Sequence, residues 1–284
     1  MTLALDGNAH MSTNAGTSAS ASITTTNTND VIVVATSINS STSTVSSVTA
    51  TGLTFQKRNS YASSVAGVSQ EIWYAIASST LSSVSVTVNY SSSGNIRAMV
   101  FGVSGANTSS PWDSNTSLLS SGNSSSSGTQ QTSSFSTNNS TDFVFAFEFN
   151  LSSTSNVGSI GGISATGMSG ATAAEIYEYI VTTSTLSSAV ATDGASTADF
   201  AFLADAIVAS GISTTGAVSI ASAATVIASS LYGAEIGVGT TGTEVASSEV
   251  SSQVSIGVNG VHPVPMVPES QILIRAVIAT PNLA

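Results

Sequence analysis

The chain contains no cysteine and very few charged residues. Charged side chains make up 7% of its 284 residues, and 4 lysines plus arginines stand against 15 acidic residues, so the formal net charge is −11. Without cysteine there is neither a disulfide framework nor a thiolate metal site. Binding to nucleic acid or to an anionic membrane is excluded as well, because both need clustered lysine or arginine.

Long apolar runs and a basic N-terminal segment are also missing. The longest apolar stretch, residues 198–209, contains Asp199 and Asp205, and it is shorter than the roughly 20 residues that a membrane-spanning helix needs. Residues 1–6 have neither the basic region nor the apolar region of a secretory signal. We therefore expect a protein that is not exported or one from which a signal has been removed.

Serine and threonine, by contrast, make up about a third of the chain, and 41% of the residues are hydrophobic. This hydrophobic content is enough for a core. Valine, isoleucine and aromatic residues occur in short runs separated by Ser, Thr, Gly and Asn, which is typical of strands and turns in a β-sandwich. The sequence therefore predicts an all-β protein with an antiparallel sandwich or jelly-roll-like body. The candidate strands are 31–38, 53–57, 71–77, 83–89, 97–103, 142–150, 175–181 and 198–208.

Four phenylalanines alternate along one candidate strand, at positions 143, 145, 147 and 149. Alternate residues of a strand share a face, so all four rings lie on one side. Such a stripe could bind a sugar. Phenylalanine is usually buried, however, and the prediction is a core strand.

Two segments recur in the same order and predict an internal duplication. Residues 29–35 (NDVIVVA) are echoed by residues 141–147 (TDFVFAF), and residues 71–76 (EIWYAI) by residues 175–180 (EIYEYI). Two copies of one strand pattern can form the halves of one sandwich or two sandwiches in tandem. We expect strands that begin at Asp30 and Asp142 to hold equivalent places in related sheets.

A change of composition after residue 210 divides the chain into a body, residues 1–210, and a smaller C-terminal β unit, residues 211–284. Within the body the copies cover about 20–105 and 135–210, with a Ser-rich loop at 107–139 in which little can be buried. The C-terminal unit is rich in small side chains and is too short to bury much surface alone. We expect it to make the assembly contact. The candidate contact residues are Ile272, Ile274, Arg275 and Val277.

Three segments of the body resemble a known kind of module. Residues 52–58 (GLTFQKR), 71–75 (EIWYA) and 101–113 (FGVSGANTSSPWD) are similar to a β-sandwich module of phage virion proteins and of exported bacterial and archaeal surface proteins. The resemblance covers residues 1 to about 210. It implies a non-catalytic role in display or adhesion, and it carries over no catalytic or binding residues.

Histidine is as scarce as cysteine. His10 and His262 stand near opposite ends of the chain, so a histidine-based triad or metal site would need both of them in one place. We interpret them as incidental residues. No enzymatic activity, no cofactor and no metal site is expected.

Two pairs of acids are close enough in sequence to raise the question of catalysis. Glu175 with Glu178, or Asp199 with Asp205, could serve glycoside hydrolysis or calcium binding. Acids at strand edges are more often solvated, where they discourage edge-to-edge aggregation. We therefore expect these acids to be exposed to solvent.

The leading hypothesis is a non-enzymatic structural protein on the outside of a virus particle, as a capsid decoration, a spike or a tail component. Its partners would be copies of itself and other coat proteins. The alternative is a subunit of an extracellular filament or surface layer, located at the cell surface. A third class, a carbohydrate-binding adhesion module, would use Trp112, an aromatic residue in a Ser-Pro-Trp-Asp segment.

Overall fold

The computed structural model describes residues 2–124, 128–150, 156–170, 175–197, 200–210, 217–219 and 241–243. These residues contain no helix, so the described part has no helix that could span a membrane. Their strands pair antiparallel, and the prediction of an all-β fold is confirmed. The strands are β1 (Ala4–Ile23), β2 (Asp30–Ile38), β3 (Val45–Ala50), β4 (Gln56–Ser63), β5 (Val68–Ala77), β6 (Val84–Ser104), β7 (Ser120–Ser124), β8 (Gly128–Gln131), β9 (Asp142–Asn150), β10 (Ser159–Ile160), β11 (Ile163–Ser164), β12 (Thr166–Gly167), β13 (Glu175–Val181), β14 (Ala191–Thr197), β15 (Phe200–Val208), β16 (Ala217–Ser219) and β17 (Thr241–Thr243).

Two main sheets share one strand order. The first runs β1-β6-β2-β5-β4 and the second β7-β15-β9-β13-β12. Strand β2, which begins at Asp30, and strand β9, which begins at Asp142, are the central strands of their sheets. Strands β5 and β13, which carry Glu71 and Glu175, lie beside them. The four strands thus hold equivalent places in their sheets, although the second echo is displaced by one residue, since Glu71 pairs with Thr36 and Glu175 with Phe149.

Each repeat has further strand pairing beyond its main strand order. In the first repeat this pairing belongs to the same six-stranded sheet, because β1 and β6 continue past the main order, and their register shifts around Gly16, which pairs with Gly94. A Cβ atom on Gly94 would lie 2.7 Å from Cγ1 of Ile38, so the bend needs a residue without a side chain there. Beyond the bend, β3 pairs with β6. In the second repeat the further strands form a sheet of their own, in the order β11-β10-β14-β8.

The two main sheets pack face to face across an apolar layer, which we call the seam. Odd-numbered residues of β2, such as Val31 and Val33, enter the seam, whereas Ile32 and Val34 fill the core of the first repeat. Strand β9 alternates in the same way between the seam and the core of the second repeat. All nine residues of each central strand are buried, which is unusual for antiparallel sheets that keep one face in water.

The four phenylalanines of β9 are core residues, as predicted. Phe143 and Phe145 contact Phe101 of the first repeat, with ring centroids 6.1 and 5.2 Å apart. Phe147 stacks on Tyr177 at 6.0 Å, and Phe149 is buried in a smaller apolar cluster with Ala201. No ring of this stripe is available to a sugar.

Residues 107–139 are not a loop throughout. Strands β7 and β8 lie within this segment, and Phe135 is 1% exposed in the core of the second repeat. Ser-rich segments have low strand propensity, but pairing with an apolar neighbour such as β15 overrides it.

In the C-terminal unit only β16 and β17, which pair with each other, are described. Ile272, Ile274, Arg275 and Val277 lie outside the described residues. The assignment of the assembly contact to residues 211–284 therefore stays a prediction.

Candidate functional site

Acidic side chains lie inside the body and not at its surface, which corrects the expectation of solvated acids. Every acidic residue whose side chain the structure describes is at most 7% exposed. Charged carboxylates are rarely buried without partners, because desolvation disfavours them. The buried acids are Asp6, Asp30, Glu71, Asp113, Asp142, Glu148, Glu175, Glu178, Asp193 and Asp205.

Two of these acids are paired with bases of strand β4. Lys57 Nζ lies 3.1 Å from Glu71 Oε2, which also accepts a hydrogen bond from the Trp73 indole. Arg58 Nε donates to Asp205 Oδ2 at 3.0 Å. The second pair joins the first repeat to the second across the seam.

A third acid, Glu175, contacts two basic side chains of the first repeat. His10 Nε2 lies 2.8 Å from Glu175 Oε1, and Arg97 Nε lies 3.7 Å from the same oxygen. Arg97 also donates to the backbone oxygen of Ile96 and lies over the ring of Phe149. His10 is thus part of the contact between the repeats, and its interpretation as incidental is wrong. His262 lies outside the described residues.

In the first repeat, Asp6 and Asp30 form a pair of carboxyl groups to which no base among the described residues is paired. Asp6 accepts hydrogen bonds from the backbone N–H groups of Thr26 and Asn27 and from both of their side chains. The carboxyl of Asp30 is completely buried and lies within electrostatic reach of Asp6. We call these two residues the first carboxyl pair.

The second repeat contains the same arrangement, made by Asp113 and Asp142. Asp113 Oδ2 accepts hydrogen bonds from the backbone N–H of Asn138, at 2.8 Å, and from the Asn139 side chain, at 2.9 Å. Asp142 is completely buried and lies within electrostatic reach of Asp113. This is the second carboxyl pair. The turns that hold the pairs share the sequence pattern Thr-x-Asn-x-x-Asp, at residues 25–30 and 137–142.

The environments of the partners move their pKa values apart. Burial opposes ionisation of Asp6, but the hydrogen bonds from Thr26 and Asn27 outweigh it and lower the pKa of Asp6 to about 2. Burial first, and then the Asp6 carboxylate, raises the pKa of Asp30 to about 7. Burial and Asp113 likewise raise the pKa of Asp142 to about 8. A proton is therefore held by Asp30 and by Asp142 at mildly acidic pH.

The core of the second repeat contains a further group of acids. Burial, followed by the charge of Asp193, raises the pKa of Glu148 to about 9. Burial also raises the pKa of Glu178 to about 7, although the Gly158 N–H donates to its carboxyl at 2.8 Å. The position equivalent to Glu148 in β2 is Thr36, whose hydroxyl lies 2.9 Å from that of Tyr90. The two repeats thus fill the same buried position with different polar pairs.

Of the two acid pairs suspected from the sequence, the structure describes both members of one, Glu175 and Glu178, and these do not come together. Glu175 faces His10 and Arg97, whereas Glu178 points into the core of the second repeat. Asp205 is held by Arg58, and Asp199 lies outside the described residues. Among the described residues, no group of three or more His, Cys, Asp or Glu side chains is placed to hold a metal ion.

Trp112, the candidate glycan contact, is half-buried at the edge of the seam. The Arg58 guanidinium lies over its ring at 4.9 Å from the centroid, and the Tyr74 ring contacts it edge-on at 5.2 Å. Its ring therefore already has contacts on two sides. The prediction that Trp112 binds a sugar stays untested, and a sugar would have to compete with Arg58.

The outer face of the first repeat carries hydroxyl and amide groups in register. Alternate residues of β1, β6 and β3 point away from the core, and they align in rows such as Ser20, Thr87 and Thr49. We call this the hydroxyl face. Its members are Ser18, Ser20, Ser22, Ser47, Thr49, Ser85, Thr87 and Asn89.

A shallow cleft of about 390 Å³ lies near the first carboxyl pair. Small polar residues such as Asn29, Asn107 and Ser210 line it, and no charged side chain does. It offers neither an acid nor a base to a substrate.

Comparisons with protein-family models, with curated proteins and with solved structures find no match for this chain. The site must therefore be interpreted from its own geometry. Sequence reasoning missed both carboxyl pairs, although the repeated Thr-x-Asn-x-x-Asp spelling could have revealed them.

Proposed function

We propose that this chain is a non-enzymatic structural protein displayed on the outside of a virus particle, as a capsid decoration, a spike or a tail component. The observation that carries the proposal is the burial of the described acids, which leaves hydroxyl and amide groups to face water. The resemblance of residues 52–58, 71–75 and 101–113 to virion modules points the same way.

Burial of acids suits a protein that is packed in many copies. Neighbouring copies with a net charge of −11 would repel one another. Asp142 and Glu148, with pKa values raised by burial to about 8 and about 9, keep their protons at neutral pH and lower that charge. Contacts made through the uncharged hydroxyl face should also depend little on salt concentration, because there is little charge to screen.

The arrangement of the described residues favours a mechanical role over a chemical one. Three basic side chains each form an ion pair with a buried acid, namely those of Lys57, Arg58 and Arg97. Two repeats joined by a continuous apolar seam form a stiff body, since close-packed interiors deform little. These features serve display, and none of them assembles an acid, a base and a substrate cleft.

Immunogold electron microscopy of particles purified from the source of the sequence tests the proposal. Antibodies against residues 2–210 should label the outer surface of intact particles, and the same serum absorbed with that body should not. Labelling of filaments or of a cell surface would favour the surface-layer alternative. Labelling of broken particles alone would contradict outward display.

A further inference from the structure

The carboxyl pairs occupy the same place in both repeats, and each pair joins two separate stretches of chain. Asp6 lies at a register shift in β1, and its partner Asp30 begins the central strand β2. Asp113 lies in the segment that leads into the second repeat, where its N–H donates to the backbone oxygen of Ala206 at 3.0 Å. Its partner Asp142 begins β9.

The turns around the pairs share a set of backbone and hydroxyl hydrogen bonds. Thr25 exchanges two hydrogen bonds with the backbone of Leu81, and Thr137 exchanges the same two with Leu186, all between 2.9 and 3.1 Å. Agreement of this detail in two sequence-divergent copies shows that the arrangement belongs to the repeat itself. A chance contact between two acids would not recur in this way.

The partners within a pair differ in how they are held. Asp6 and Asp113 accept several N–H hydrogen bonds, which favour a carboxylate. Neither oxygen of Asp30 or of Asp142 accepts a hydrogen bond of good geometry from the described residues, and both side chains are completely buried. Burial without such hydrogen bonds favours the protonated form of these carboxyls.

We propose that each carboxyl pair shares one proton and acts as a latch. The latch holds the two stretches of chain that it joins together in acidic surroundings, and it lets them separate when the medium turns alkaline. Loss of the shared proton leaves two carboxylates side by side in the protein interior, where like charges repel strongly. The stretches that should loosen are the start of β1 and the segment 106–113. This inference does not depend on the proposed function.

The remaining groups near the latches do not compensate for the loss of the shared proton. Besides Asp6, the Thr25 hydroxyl faces Asp30. Besides Asp113, Thr137 and Asn139 face Asp142, and Thr182 Oγ1 accepts its backbone N–H. Asp205, whose pKa is also raised by burial and which senses Asp113, is already held by Arg58.

The direction of the pH effect follows from the raised pKa values. Asp30 and Asp142 have pKa values near 3.8 in the unfolded chain and about 7 and about 8 in the fold, raised by burial and by the neighbouring carboxylate. Their contribution to stability is complete below pH 3.8 and is lost as the pH rises toward 7 and 8. Between pH 5 and pH 9 the folding constant should fall about a hundred-fold through Asp30 and about a thousand-fold through Asp142.

The test compares denaturant unfolding of the full chain and of its Asp30→Asn/Asp142→Asn variant at pH 5, 7 and 9. An asparagine amide can donate to Asp6 or Asp113 as the protonated carboxyl does, but it cannot lose a proton. The variant should match the wild type at pH 5 within tenfold and should lose at least a thousand-fold less between pH 5 and pH 9. Equal pH dependence of the two proteins would overturn the proposal.

Asp6→Asn is the matched control, because it changes the partner that accepts the hydrogen bonds. It should weaken folding at pH 5 more than tenfold, whereas Asp30→Asn should not. Equal losses for both variants would show that the proton is not held by Asp30.

If the double variant does not fold, infrared spectroscopy of the wild type tests the proposal instead. Its infrared spectrum at pH 6 should contain a protonated-carboxyl band that shifts on ¹³C-aspartate labelling and disappears above pH 9. The absence of that band at pH 6 would overturn the proposal.

Discussion

His10 of the first repeat and Glu175 of the second lie 2.8 Å apart, Nε2 to Oε1, and this contact fixes the two repeats against each other. Glu175 is buried, so the loss of a partner leaves a polar group in the interior less well satisfied. We expect His10→Ala to lower the free energy of unfolding by about 1 to 3 kcal/mol. His10→Gln, which keeps a donor, should lose less. Chemical denaturation measures both, and equal losses would contradict a role for the hydrogen bond.

The Arg58–Asp205 pair is expected to show strong coupling across the seam. Arg58→Met leaves Asp205 buried without its base and should cost about 3 kcal/mol at neutral pH. The double variant Arg58→Met/Asp205→Asn should recover much of this loss, because no unpaired charge remains. A double-mutant cycle measures the coupling, and additive losses would show that the pair does not bridge the repeats energetically.

The fold class and the central strands could be predicted from the sequence, because short β-branched and aromatic runs mark strands wherever both faces are buried. Strand β1 could not. Its twenty residues are largely Ser, Ala, Asn and Gly, which have little strand propensity, and pairing along β6 holds them in place. The strand pairing also corrects the alignment of the two copies by one residue. Glu71 of β5 pairs with Thr36, and the residue of β13 at the equivalent position is Ile176, one residue beyond Glu175.

The site was less predictable than the fold. Sequence alone assigns acids to the surface on average, and it does not show that Thr26 and Asn27 fold back onto Asp6. The contacts of His10 with Glu175 join residues far apart in the chain. Only the tertiary structure brings such pairs together.

Glu148→Gln is expected to make the protein less sensitive to alkali. Burial and the charge of Asp193 raise the pKa of Glu148 from 4.5 to about 9, so its stabilising proton is present at pH 5 and is lost as the pH rises toward 9. Glutamine copies the protonated side chain. The variant should equal the wild type at pH 5 and should be about 5 kcal/mol more stable than it at pH 9.

Glu71→Gln is the control for that experiment. Glu71 is also a buried glutamate, but Lys57 lies 3.1 Å from it and two N–H groups donate to its carboxylate. Its neutralisation should therefore lower stability at pH 5 and at pH 9 alike. Greater stability of Glu71→Gln at pH 9, or lower stability of Glu148→Gln there, would contradict this account of the buried acids.

A truncated chain that ends at residue 210 tests the division of roles along the protein. The described residues up to 210 fill the seam and the cores of both repeats with their own side chains, so this body should fold alone and stay monomeric. Assembly is predicted to need residues 211–284, in particular Ile272, Ile274, Arg275 and Val277. A final strand of this kind could add to the edge of a sheet in a neighbouring copy, with Arg275 paired to an acid. Analytical ultracentrifugation and electron microscopy of the full and truncated chains would measure the difference. If the truncated body assembles as the full chain does, the contact lies within residues 1–210 and the C-terminal unit has another role.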